Sequence, residues 1–164
     1  MAQNMNMHLF FWAPILAVSA HIFEEFVFPG GFAPWYRRCR PNDPTISSRR
    51  LVIANALLIF FCLSAGLFGP SRYGVQIWLI VMGSLFANSI FHINATIRMK
   101  EYSPGVATAC FVYLPLTVFG AWWLIQIGMV SSGVAFIYLL LGVSIMLYID
   151  LRYFIASMFR PKTL

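Results

Sequence analysis

Residues 51–68 read LVIANALLIFFCLSAGLF, eighteen positions without one charged side chain. A helix rises about 1.5 Å per residue and a bilayer core is about 30 Å thick, so roughly 20 apolar residues cross it. Arg49 and Arg50 stand just before this stretch, and Gly69-Pro70-Ser71-Arg72 makes a tight turn just after it. The segment therefore reads as a membrane-spanning helix.

Four more apolar runs flank it. They cover His8 to Phe28, Tyr73 to Ile97, Gly105 to Ile127, and Val134 to Ile149 with apolar sequence continuing to Phe159. The expectation is an all-α membrane protein. It is a bundle of five transmembrane helices (8–28, 51–68, 73–97, 105–127, 134–159) forming one domain over 1–164. The composition agrees: 60% of residues are hydrophobic and 10% charged, against about 25% charged in soluble domains.

The net charge of +6 does not require a nucleic-acid partner, because the positions of the basic residues explain it. Arg37, Arg38, Arg40, Arg49 and Arg50 lie between the first two runs; Arg98 and Lys100 follow the third; Arg152, Arg160 and Lys162 follow the fifth. Only Arg72 falls on the opposite side. Basic loops face the cytosol, which predicts N-terminus out, C-terminus in and an odd number of spans. The plasma (inner) membrane of a bacterium is the expected location. No basic residue precedes the first run, so it is expected to remain a span and not a cleaved signal peptide.

Cys39, Cys62 and Cys110 show no paired spacing, and neither a disulfide nor a cysteine metal site is expected. The longest connection, Pro29 to Arg50, carries Pro34, Pro41 and Pro44 and reads as irregular. Asp43-Pro44-Thr45 reads as a turn, Ser47 or Ser48 as a helix cap, and Trp35 with Tyr36 as interfacial anchors. Asp150 beside Arg152 reads as an ion pair. Asn94-Ala95-Thr96 matches a glycosylation sequon, but within a span it is unusable.

Ionisable groups inside a span are costly and usually functional. The first span carries His21, Glu24 and Glu25, and residues three and four apart share a helix face. The third carries Asn88, His92 and Thr96 at intervals of four. His92 lies about 9 Å from the cytosolic edge, six residues before Arg98. Glu25 is close to the same edge, four residues before Pro29. Asn55, Tyr102 and Thr108 fall at the same depth, so four helices bring polar groups to one layer.

Two imidazoles and a carboxylate form a common metal set, and zinc so held keeps a position for water. His21, Glu25 and His92 are the expected metal ligands. Glu24 is a fourth ligand or general base, Asn88 orients an imidazole or substrate, and Tyr102 completes the candidate catalytic set. The cofactor is a divalent metal, zinc first, with iron or manganese also compatible. A buried network that merely locks two helices is the bland alternative. The exposed amides at the start of the fourth span, near Pro104 and Gly105, are candidates for an anionic headgroup.

These motifs resemble the integral membrane family named for its HXXEE motif, here His21, Glu24 and Glu25. Asn88 with His92, and Tyr102 with Pro104 and Gly105, look like that family's other elements. The similarity covers about residues 8 to 130. It implies which residues matter, and not which reaction they perform.

The leading expectation is a metal-dependent membrane enzyme, a hydrolase, acting on a lipophilic small molecule in the cytosolic half of the bilayer. One alternative is a metal-free acid/base isomerase or cyclase for an isoprenoid or sterol-like substrate, its cavity lined by some of the 16 Phe, 7 Tyr and 5 Trp. Another is a non-enzymatic proton-coupled carrier or binding protein. Membrane lipid is the expected surrounding partner, and no nucleic acid is expected.

Overall fold

The chain enters through a kinked helix. α1 (Ala2–Phe11) and α2 (Ala13–Phe26) meet at Trp12. Pro14 has no N–H for the Phe10 carbonyl, and Trp12 N–H instead bonds the Leu9 carbonyl at 3.1 Å, a tight turn. The Trp12 ring lies over Gly66 of α4 (Ser48–Phe68); a Cβ there would stand 2.6 Å from the ring.

The computed structural model describes residues 2–41 and 48–158. The turn expected at Asp43-Pro44-Thr45, the cap at Ser47 and the helix end at Phe159 lie outside the described residues. So do the side chains of Ser48, Asp150 and Arg152.

The described residues are helical, without a strand. Four segments are long and apolar enough to cross a membrane: Met7–Phe26, Arg49–Phe68, Arg72–Met99 and Val106–Gln126. The last helix, α8 (Ser132–Met158), is apolar over the shorter stretch Ser132–Tyr148. Large apolar side chains point outward, with Phe111 81%, Leu67 75% and Leu16 71% exposed. Water would penalise such a surface, and lipid does not.

α5 (Arg72–Met99) is the central helix and packs against α4, α7 (Leu114–Gln126) and α8. The Ser71 hydroxyl caps it by accepting from Gly74 N–H at 3.1 Å. A Cβ at Gly83 would collide with the Leu139 carbonyl, and one at Gly142 with the Ile80 carbonyl. The α5 and α8 backbones therefore touch, and Ser84 Oγ donates to the Gly142 carbonyl at 3.0 Å across the contact.

The connection Pro29 to Arg50 is not wholly irregular. α3 (Phe32–Cys39) forms there, because Pro34 falls in its first turn, where a missing N–H costs nothing. Trp35 is not an interfacial anchor either: it is 2% exposed and faces inward.

The fourth span starts with one α-turn, α6 (Val106–Thr108), then a π segment, Ala109–Tyr113, then α7. Pro115 offers no N–H to the Phe111 carbonyl, and the preceding turn widens so that Leu114 N–H reaches the Ala109 carbonyl. Ser89 Oγ donates to the Ala109 carbonyl at 3.3 Å, and Thr117 Oγ1 to the Tyr113 and Met82 carbonyls, which ties this segment to α5.

Candidate functional site

One helical turn separates His21 from Glu25 on α2, so both point toward α5 and meet His92 there. His21 Nε2 lies 3.4 Å from Glu25 Oε1, and His92 Nε2 lies 3.5 Å from the same oxygen. One ligand atom from each of the three residues falls within 4.8 Å of the others. All three are buried, at 4%, 5% and 0% exposure.

The outer nitrogens are held by hydroxyls. His21 Nδ1 is 2.7 Å from Thr108 Oγ1, and His92 Nδ1 is 2.8 Å from Ser103 Oγ. The Thr108 hydroxyl also lies 3.1 Å from the Gly105 carbonyl. In the tautomer in which it gives its proton to that carbonyl, His21 Nδ1–H is the donor in the short contact and Nε2 is a lone pair. Nε2 faces Glu25 and lies 3.2 Å from Asn88 Nδ2. His92 Nε2 is buried with no hydrogen-bond partner among the described residues. With both rings protonated at Nδ1, two nitrogen lone pairs and a carboxylate oxygen converge on one point, an arrangement able to hold a cation.

The geometry suits a metal. Ligand atoms ~2.1 Å from a tetrahedral zinc stand ~3.4 Å apart, close to the two distances from Glu25. A hydrogen-bond acceptor on the far nitrogen is the usual means of orienting a metal-binding imidazole, and here a hydroxyl stands at that place on each ring.

Glu24 lies outside this set. Its Oε1 accepts from the Tyr102 hydroxyl and from the Gly105 and Ala107 amides, both at 3.0 Å; its Oε2 accepts from the Thr108 amide at 2.7 Å. These are the amides that the sequence offered to an external anion, and an internal carboxylate occupies them. Burial and the bond to Glu24 push the Tyr102 phenol up to about 12. The phenol is thus a standing donor to Glu24.

The turn 102–108 serves both imidazoles and Glu24. Gly105 has φ +100, and a Cβ on it would stand 2.6 Å from His21 Cε1 and 2.8 Å from His92 Cε1. Only glycine lets this backbone lie against both imidazoles.

Aromatic rings close the surroundings. Tyr113, carried inward by the π segment, has its ring centroid 4.7 Å from that of His21. Trp35 of α3 stacks parallel to His92 at 6.1 Å, and Phe32 stands 6.0 Å from the same ring. An exposed ion pair from Arg38 to Glu101, at 3.0 Å, joins α3 to the turn.

Tyr113, Trp35 and Ser103 lay outside the polar layer read from the sequence. A serine next to a flagged tyrosine was the one available signal; neither aromatic residue differs in sequence from ordinary packing. Asn55 takes no part in these hydrogen bonds, and the buried Thr96 hydroxyl has no partner among the described residues.

A family model described as a protein of unknown function with HXXEE motif matches residues 12–120, a stretch that contains every group in the site. Neither a curated protein nor a solved structure matches the chain significantly. On the family match, which covers most of its length, the chain belongs to the HXXEE-motif family.

Proposed function

We propose that this protein is a metal-dependent membrane enzyme. His21, Glu25 and His92 hold a divalent ion, zinc first, with iron or manganese compatible with the same donors. The observation that carries this reading is the convergence of two imidazole Nε2 atoms on one Glu25 oxygen, with the outer nitrogen of each ring held by a hydroxyl. Such a centre activates water, and hydrolysis of a lipophilic substrate is the reaction we assign. Asn88, beside His21 Nε2, positions the substrate or the attacking water. Glu24 with Tyr102 keeps the turn in place, since four donors already occupy its carboxylate.

We further propose five spans, with α8 as the fifth, and the N-terminus outside. The grouping of basic residues at the ends of α3 and α5 and the start of α4 supports this orientation. By the same rule the site lies in the cytosolic half of the bilayer, which we assign to a bacterial plasma membrane.

The test is elemental mass spectrometry on detergent-purified protein without a His-tag, beside His21→Ala and His92→Ala. Metal near one ion per chain in the parent, lost in both folded variants, is the expected result. A metal-free parent after exposure to zinc, iron and manganese would overturn the reading. The site would then be a proton-exchanging His–Glu cluster, as the acid/base isomerase and carrier readings require.

A further inference from the structure

On another side of α5 a cavity of about 440 Å³ opens between α3, α5 and α8. That volume is in the range of small-ligand sites. One end of it is basic. Arg40 and Arg98 line it with Asn94. The other end is apolar, walled by Phe86, Ile90 and Met146.

The Arg40 guanidinium is held among aromatic rings and donates to the Tyr36 hydroxyl at 3.3 Å. It lies 4.6 Å from the Phe91 centroid and 5.5 Å from that of Tyr36, and the residue is only 9% exposed. Arg98 is exposed at the last turn of α5, next to the loop. Asn94 lies one turn deeper and is also exposed, although it belongs to a segment that crosses the membrane. A polar group so placed usually faces a cavity or a polar ligand. Ile90 and Phe86 continue along the same helix toward the membrane interior.

We propose that this cavity binds an anionic phospholipid of the bilayer. The phosphodiester sits between Arg98 and Arg40, Asn94 donates to its oxygens, and an acyl chain runs along Ile90, Phe86 and Met146. The polarity order of the lining, charge at the membrane surface and hydrocarbon below, is that of a phospholipid entering from the leaflet. Basic pockets between spans commonly recognise phosphate headgroups in this way. This binding does not depend on metal at His21, Glu25 and His92.

The experiment uses the full chain in nanodiscs of phosphatidylcholine and phosphatidylglycerol in equal parts, and counts by native mass spectrometry the lipid retained after detergent release. The parent is expected to keep one phosphatidylglycerol per chain in preference to phosphatidylcholine. Arg98→Gln is expected to weaken that preference about fivefold, and Arg98→Lys to keep much of it. Ala87→Phe, which fills the apolar arm but leaves both guanidiniums, is expected to lower retention as well. Equal retention of the two lipids by the parent would overturn the proposal, as would an undiminished preference in Arg98→Gln or undiminished retention in Ala87→Phe. Displacement of the lipid by inorganic phosphate alone would also overturn it and identify a site for the free anion.

Discussion

Thr108 Oγ1 stands 2.7 Å from His21 Nδ1 and 3.1 Å from the Gly105 carbonyl, so one hydroxyl bridges the imidazole and the turn. With its proton on Gly105 it accepts from Nδ1–H and leaves His21 Nε2 bare toward Glu25. A residue on the fourth span thus orients a residue on the first.

Thr108→Val is expected to weaken metal binding about 10- to 100-fold, the usual cost of losing a group that orients a metal-bound imidazole. Thr108→Ser should restore most of it. Titration of metal into the stripped variants measures both. An unchanged affinity in the valine variant would show that His21 needs no such partner.

Replacing Gly105 should separate site from fold. Alanine at φ +100 is strained, and its Cβ would press on both imidazoles. Gly105→Ala is expected to lose bound metal while keeping its helical circular dichroism. Retention of stoichiometric metal would mean that the turn can retreat without disturbing the pair.

Glu24→Ala leaves the three amides and the Tyr102 hydroxyl without their acceptor. Each buried donor left unsatisfied costs about 1–3 kcal/mol, less where water enters. A clear drop in melting temperature in detergent is expected, larger than for Tyr102→Phe. Equal melting of Glu24→Ala and parent would assign Glu24 to chemistry instead.

The Tyr102 phenol supplies a pH signature. Its value is raised from 10 to about 12 in the fold, so the neutral form is the one the fold favours. The unfolded chain releases this proton first, and the contribution is complete below pH 10 and fades as pH rises toward about 12. The stability difference between parent and Tyr102→Phe should shrink across that window. A difference that stays constant through it would show that the phenol proton is not what holds Glu24.

Much of this was readable in the sequence because membrane helices announce themselves by length. The runs ending at Phe68 and Ile97 needed no tertiary information, and an imidazole four residues before a carboxylate places both on one helix face. Pro34 misled because proline was weighed as a helix breaker, whereas position decides its cost and the first turn of α3 tolerates it. Glu24 and Glu25 are neighbours in sequence but diverge by about 100° around the helix axis. That angle sends one to the metal-type cluster and the other to the amides that open the fourth span. No local pattern reports that those amides were already taken. Trp35 and Tyr113 reach His92 and His21 only through the short helix α3 and a π turn, both products of tertiary packing.

The turn 102–108 gives Thr108 to His21, Ser103 to His92, and Tyr102 with three amides to Glu24. It touches two different helices at fixed heights. If α2 slid along α5 by a single turn, about 5.4 Å, these partners could not all be met at once. Apolar side chains sliding in lipid discriminate poorly between such registers. The turn therefore works as a gauge: it tells the bundle, through a handful of directional bonds, which of several equally greasy alignments is the native one.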